Sequence, residues 1–377
     1  MTDGRATATD VRALAFYLPQ YHPIPENDAA WGKGFTEWRS VVRASPLFPG
    51  HWQPHLPADL GFYDLRVSEV REAQAALARE HGIHGFCYYH YWFQGRRLLE
   101  RPFDEVLASG RPDFPFALCW ANEPWTRAWD GNTGEVVVPQ DYSPEDDIEH
   151  VRSLLPAFAD PRYVRVDGRP LFLVYRASLL PDVRRTTDVW RAEVERAGLP
   201  GLYLCRVEND VGRADPAATG FDAAVDFMPD FSALGRALRR DLPSRVARRA
   251  HLTNQAFRDH RIYDYDEFVR RMLARPTPPY PRFPCVTPGW DNTPRRRSNG
   301  IVLRGSTPER YEEWLRTTID RFDPPGPDEN LVFLNAWNEW GEGNHLEPDQ
   351  RWGSAYLEAT RRVLAPAGGD STGRHEG

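Results

Sequence analysis

The 377-residue chain is poor in several things that would have marked its chemistry. It has one lysine, Lys33, all other basic residues being arginine, a pattern read as base composition rather than function. Its four cysteines, Cys87, Cys119, Cys205 and Cys285, form no C-x-x-C pair, which argues against a zinc ribbon or a dithiol redox motif. Each lies in an apolar run, so buried small hydrophobes in a reduced compartment are expected. No apolar run approaches the eighteen residues of a membrane helix. The start, "MTDGRATATDVRALAFYLPQ", lacks a basic stretch followed by an apolar core, so no signal peptide is read there and a cytoplasmic location is expected. An excess of positive charge is missing too: Lys+Arg 47 against Asp+Glu 54 gives −7, and no nucleic-acid partner is expected. The clusters "RVARRAH" and "PRRRS" read as solvated faces, or at most a contact to an anionic ligand. No G-x-G-x-x-G follows the first strand, no G-x-S-x-G is present, and no H-E-x-x-H, so neither a cofactor nor a bound metal is expected.

Apolar and aromatic residues are plentiful, with 41% hydrophobic residues, 13 Trp and 34 Pro. Most of the indoles fill a core; some suit the flat apolar faces of sugar rings. Eight strand-like runs recur: "VRALAFYLP", "GIHGFCYYHYW", "FPFALCWANEP", "RPLFLVYRA", "GLYLCRVEND", "FDAAVDFMPD", "FPCVTPGWDN" and "NLVFLNAWNEW". Several are continuous rather than alternating, as strands covered on both faces are. Helical patterns such as "SEVREAQAALAREHG", "PEDDIEHVRSLLPAFA", "TDVWRAEVERAG", "PERYEEWLRTTIDRF" and "SAYLEATRRVLA" lie between them, most opening on Ser, Thr or Pro. The alternation predicts an α/β fold, a (β/α)8 TIM barrel over 12–365. A long first βα loop, from Pro19 to about Tyr63, and a helical insertion between strands 6 and 7, from about Ser232 to Pro281, interrupt it. Residues 1–11 and 366–377 read as flexible ends.

In such a barrel the active site lies at the C-terminal ends of the strands. The strand tails here turn polar and aromatic together: "YLPQYH", "CYYHYW", "CWANEPW", "CRVEND", "DFMPD", "PGWDN" and "NAWNEWGE". Asp210, Asp226 and Asp230 read as capping or loop residues. Glu339 and Glu342 stand three apart where the last strand gives way, and share the mouth only if the backbone bends, which Gly341 is expected to allow. Glu123, ahead of Pro124, is a third carboxylate. One carboxylic acid and a second carboxylate are what glycosyl transfer requires, their pKa values set apart by an apolar wall; Trp125, Trp337 and Trp340 are the candidate wall. A metal held by Glu342, His345 and Glu347 is the weaker use of the same cluster, and Glu347 is equally well a salt-bridging or capping residue.

The stretches "FYLPQYHPIPENDAAWGKGFTEWRSV", "GFCYYHYWFQGRRLLERPFDEVL", "LCWANEPWTRAWDG" and "NAWNEWGEGNHLEPDQRWGSAYL" resemble the WbsX-type proteins. These are related to glycoside hydrolase family 99 and occur in O-antigen and other surface-polysaccharide gene clusters. The resemblance runs from about Arg12 to Leu364 and implies a (β/α)8 barrel. It further implies retaining chemistry on an oligo- or polysaccharide, α-mannoside-like, through the N-E-W-x-E pattern at "NEWGE". Glu339 would then be the base toward a sugar 2-hydroxyl, giving a 1,2-anhydro intermediate, and Glu342 the acid/base toward leaving group and water. Position 341 is glycine where hydrolytic members often carry histidine, and the "YHPIPEND…WGKGFTEW" segment belongs to the WbsX side.

The expected substrate-binding set is Glu123, Trp125, Glu347, His22, Glu37, Trp38, Tyr89, His90, Trp120, Asn122, Trp290, Asn338 and Trp340. Two other functions compete with a glycoside hydrolase: a glycosyltransferase using an activated sugar donor, and a carbohydrate-binding protein without catalysis. The only D-x-D at hand, in "YDYDE" at 263–267, lies in the helical insertion rather than at a strand end.

Overall fold

The computed structural model describes residues 11–127, 135–208, 214–238 and 259–364. Eight parallel strands form the barrel: β1 (Arg12–Tyr17), β2 (Gly85–Phe93), β3 (Phe116–Trp120), β4 (Arg169–Val174), β5 (Tyr203–Val207), β6 (Ala223–Val225), β7 in two pieces (Arg282–Phe283 and Cys285–Val286) and β8 (Leu331–Leu334). β1 pairs with both β2 and β8, and the order continues through β3, β4, β5 and β6 to the first piece of β7. The second piece of β7 pairs with β8, so the ring closes through the chain itself at Pro284. Proline has no N–H to give the ladder, yet its carbonyl still accepts from Phe333 N at 2.8 Å. The eight runs read from the sequence are these eight strands.

Helices α1 (Ser68–Glu80), α2 (Arg101–Ser109), α3 (Pro144–Ala159), α4 (Val183–Arg196), α5 (Tyr265–Leu273), α6 (Pro308–Arg321) and α7 (Ala355–Leu364) surround the sheet. The start signals act as read: Ser143 and Thr307 accept from the third backbone N–H beyond them, with proline at the first helical position. Asp264 of "YDYDE" caps α5 in the same way, accepting from Glu267 N at 2.8 Å. The four cysteines are buried and unpaired.

Strand parity decides which side chains reach the mouth. Tyr89, Phe227 and Phe333 pack around Phe16 inside the barrel, Tyr89 stacked and Phe227 edge-on, with centroids 5.2–5.6 Å from that of Phe16. The alternate residues of β2 face the helices instead.

The first insertion carries short helices at Pro25–Trp31 and Trp38–Arg43. Of the second, residues 239–258 lie outside the described residues, as do both termini and Asp210; what is described holds a strand, Arg261–Asp264, and α5. That strand pairs with Ile301–Arg304, which in turn pairs with Trp290–Asp291. A third excursion, following β7, therefore bends back over the barrel, and the sequence reading had no place for it. Among the described residues no helix is long and apolar enough to cross a membrane.

Candidate active site

Beyond β8, where a cis peptide joins Asn335 to Ala336, the chain makes a small hairpin. Asn338–Glu339 pairs antiparallel with Asn344–His345, and a 3₁₀ turn, Trp340–Glu342, joins them. The left-handed residue that closes the turn is Gly343, with φ 56°, not Gly341. Gly341 serves a different need: a Cβ there would overlap Glu37 Oε1 and come within 2.8 Å of Arg295 Nε. The expectation that Gly341 makes the bend is thus corrected, since that position is glycine to leave room for a carboxylate.

The hairpin presents Glu339 and Glu342 to one guanidinium. Arg295 Nη2 lies 2.8 Å from Glu339 Oε2 and Nη1 lies 2.9 Å from Glu342 Oε1, while Nε donates to Glu37 Oε1 at 2.7 Å. Glu37, the residue before the short helix Trp38–Arg43, is fully buried, and its second oxygen has no hydrogen-bond partner among the described residues. Three carboxylates around one cation leave the cluster at −2 if all ionise, so the proton affinity rises. Burial, against the pull of Arg295 and with the push of Glu342 and Glu37, raises Glu339 to about 8. Burial also raises Glu342, Arg295 opposing it and Glu37 reinforcing it. Two interacting carboxyls that are both raised titrate as a pair: one proton on the pair leaves an acid and a base side by side.

Other expected site residues are placed unevenly. Tyr89 faces the mouth, joined by Tyr91 and Tyr175, which the sequence reading did not single out; Tyr175 meets Tyr89 edge-on at 6.1 Å. Trp125 and Glu123 stand at the rim. Trp125 is half-buried, its ring 5.3 Å from Tyr91, and Glu123 is bound by Arg176 Nε at 2.6 Å.

Two asparagines are backbone clamps. Asn338 Oδ1 accepts from Leu18 N at 2.7 Å while its Nδ2 donates to Leu18 O at 3.0 Å. Asn122 holds Arg176 N and O in the same manner, at 2.7 and 2.9 Å. Each ties one strand end to its neighbour, with its side-chain groups turned to the backbone rather than to the mouth.

Trp38, Trp337, Trp340 and Glu347 are packed behind the hairpin. Trp337 lies against Phe86, 5.1 Å away, on the helix side of the sheet. Trp340 stacks on His345 at 3.7 Å and gives its N–H to Glu347 Oε2 at 2.6 Å. Tyr63 OH donates to the same oxygen at 2.8 Å, and Gln74 Nε2 to Oε1 at 2.6 Å. Glu347 is therefore neither a salt-bridge partner nor turned to the mouth, and burial raises its carboxyl to about 7 against those donors. Trp38 gives its N–H to Tyr63 O at 2.8 Å.

Four expectations fall on the wrong side of the sheet or away from the mouth. His90, next to Tyr89, faces the helices and meets His150 Nε2 at 3.0 Å; burial depresses it to about 3. Trp120 packs between His150 and Trp190, at 4.4 and 5.8 Å. His22 is buried beside Asp64 and Arg66. Trp290 lines a neighbouring cleft that contains none of the three glutamates. Asp230 caps a 3₁₀ turn, as read, whereas Asp226, read as a cap or loop residue, sits in a buried ion pair with Arg275 at 2.9 Å.

Arg295 is the residue that sequence reasoning missed. It sits in "PRRRS", and a run of arginines on an excursion after β7 carries no mark that one member is buried.

The chain resembles known proteins over nearly its whole length. The family described as Glycosyltransferase WbsX matches residues 13–360. The WxcX proteins of two Xanthomonas campestris pv. campestris strains, B100 and ATCC 33913, are 46% identical over 355 residues, covering 94% of this chain and 50% of each relative. The chain thus spans about half the length of these curated relatives. Among solved structures, one described as a glycoside hydrolase-like protein superposes with a TM-score of 0.59 at 17% identity, covering 94% of both chains. The GH99 endo-alpha-mannosidase from Bacteroides thetaiotaomicron follows with a TM-score of 0.56 at 15% identity, over 94% of this chain and 96% of its own. At such identity these two speak for the barrel fold alone. The match to residues 13–360, with the 46% identical relatives, decides membership: the chain belongs to the WbsX glycosyltransferase family.

Proposed function

We propose that the chain is a carbohydrate-active enzyme that breaks or re-forms glycosidic bonds of a bacterial surface polysaccharide with retention of configuration. The observation that carries this reading is the bridging of Glu339 and Glu342 by one guanidinium, in a buried cluster whose carboxyls both hold protons above their ordinary range. Family membership and the barrel shared with a GH99 endo-alpha-mannosidase support it.

In this reading the pair shares one proton, and Glu339, in the form of the pair in which that proton sits on Glu342, removes the proton of the sugar 2-hydroxyl. O2 attacks the anomeric carbon, the glycosidic bond breaks, and Glu342 gives its proton to the departing oxygen. Glu342, now ionised, takes a proton from water or from an acceptor hydroxyl, whose oxygen opens the 1,2-anhydro ring. Glu339 returns its proton to O2. Two inversions give net retention. Arg295 keeps both carboxyls in place through the cycle and offsets the charge of whichever one is ionised while the other carries the proton.

Transfer to a sugar hydroxyl uses the same two glutamates, and the description of the family as glycosyltransferases favours keeping that acceptor in view. The test is incubation of wild type, Glu339→Gln and Glu342→Gln with α-mannosyl oligosaccharides and surface polysaccharide, followed by NMR. Turnover by wild type that both variants lose supports the reading. Turnover that survives either substitution overturns the assigned pair.

A further inference from the structure

Beside the hairpin lies a second cleft, about 170 Å³ in volume. At ~30 Å³ per water that is room for about six waters, the bulk of one sugar ring. Its walls come from four distant stretches: the first insertion, the chain after β7, the strand Ile301–Arg304 with the turn beyond it, and the segment after the hairpin. Gly343 and His345, on the back of the hairpin that carries Glu339 and Glu342, form part of the wall, but no catalytic glutamate does.

The lining has the mixture that a sugar needs: apolar faces for ring C–H groups, and a few fixed polar groups. Trp52 and Trp352 are half-buried, and the Arg351 guanidinium lies over both, 5.0 and 4.9 Å from their centroids. Stacking holds that cation flat and in place at little cost in hydration. Arg304 supplies a second positive charge, while the two carboxylates of the lining are engaged by the protein, Asp291 by His51 and Gln53 and Asp349 by the backbone N–H groups of Arg351 and Trp352. Trp290, part of the lining, has an indole N–H that is buried without an acceptor among the described residues, a donor whose desolvation is uncompensated by them.

We propose that this cleft binds an acidic sugar residue, its ring against the indoles and its anionic group on Arg304 and Arg351, as a second attachment point for the polysaccharide. The proposal rests on a polysaccharide substrate and not on the roles given to Glu339 and Glu342. A nucleotide is the less favoured occupant, since base, ribose and phosphates exceed the space.

The test is titration of the full chain with methyl glucuronide and with methyl glucoside, watched by saturation-transfer NMR. The glucuronide is expected to bind, and Arg351→Ala and Arg304→Ala each to weaken it about tenfold, as losing a charge-assisted hydrogen bond does. Trp352→Ala is expected to abolish binding and Glu342→Gln to leave it unchanged. Binding that Glu342→Gln removes and Arg351→Ala does not would place the probe in the catalytic mouth and overturn the proposal. So would equal binding of the glucoside, or saturable binding of UDP that depends on the same arginines. Because the readout is binding, absence of turnover leaves this outcome legible.

Discussion

The carboxylate of Glu37 occupies the place that a side chain on Gly341 would take. A Cβ at position 341 would overlap Glu37 Oε1, and the same oxygen accepts from Arg295 Nε at 2.7 Å. A residue of the first barrel loop thus reaches the turn after the last strand and pins the arginine that holds both Glu339 and Glu342. Size at one position and charge at another are therefore a single constraint.

Gly341→Ala is predicted to destabilise the fold by about 1–3 kcal/mol, the usual cost of overpacking, and to lower activity by displacing Glu37. In a Glu37→Ala background the same substitution has its obstacle removed and is expected to cost much less. Chemical denaturation of the four proteins of this cycle measures the coupling. Equal costs in both backgrounds would contradict the contact.

Removing Arg295 leaves three carboxylates facing one another, Glu37 and Glu339 buried and Glu342 half-buried. Arg295→Met is predicted to cost about 3–5 kcal/mol, as breaking one side of a buried ion pair does, with the loss smaller at acid pH, where the carboxyls take up protons. Arg295→Lys keeps the charge but holds fewer partners, and should recover part of the stability and less of the rate. Denaturation at pH 5 and pH 8 distinguishes these outcomes.

Glu37 raises the proton affinity of both Glu339 and Glu342 by its charge. Glu37→Gln removes that push, so the base ionises and the acid loses its proton at lower pH. Both limbs of the kcat/KM profile are predicted to move to the acid side, while the residue touches no substrate. An unmoved profile would show that Glu37 acts on packing alone.

Glu347 gives a stability prediction away from the chemistry. Its carboxyl is raised from 4.5 to about 7 by burial. A carboxyl raised in the folded state binds its proton more tightly there, so this contribution favours the fold below pH 4.5 and is lost as pH rises to about 7. Glu347→Gln cannot titrate, so the difference in stability between wild type and variant is expected to change across that window and to be flat above it. Thermal melts at half-unit steps measure it.

Much of this was legible in the sequence, and the reasons for the rest are physical. The eight strands are short apolar runs between clear turns, and a pattern of period two or 3.6 survives translation into structure. Glu37, Glu339 and Glu342 do meet, at Arg295, while the tail "PGWDN" sends Trp290 to the neighbouring cleft. What failed was parity: in "CYYHYW", Tyr89 faces the barrel and His90 the helices, and nothing in a continuously apolar strand tells the two faces apart. Trp120 was lost for the same reason. Glu347 and Asn338 sit among site residues in sequence, but each is turned to neighbours that a linear reading does not supply, Tyr63 and Gln74 for one and Leu18 for the other. Arg295 was hidden because burial of a charge is decided by distant carboxylates, here a residue 258 positions away.

The most direct test of the account is the anomeric form of the first product, followed by proton NMR from the earliest turnover of an α-linked oligosaccharide of the surface polysaccharide. The account predicts that the α-anomer appears first and mutarotates afterwards, and that Glu339→Gln and Glu342→Gln each slow its appearance by about 10²–10⁴. A β-anomer as first product, or an unchanged rate in either variant, would contradict the paired-carboxylate mechanism.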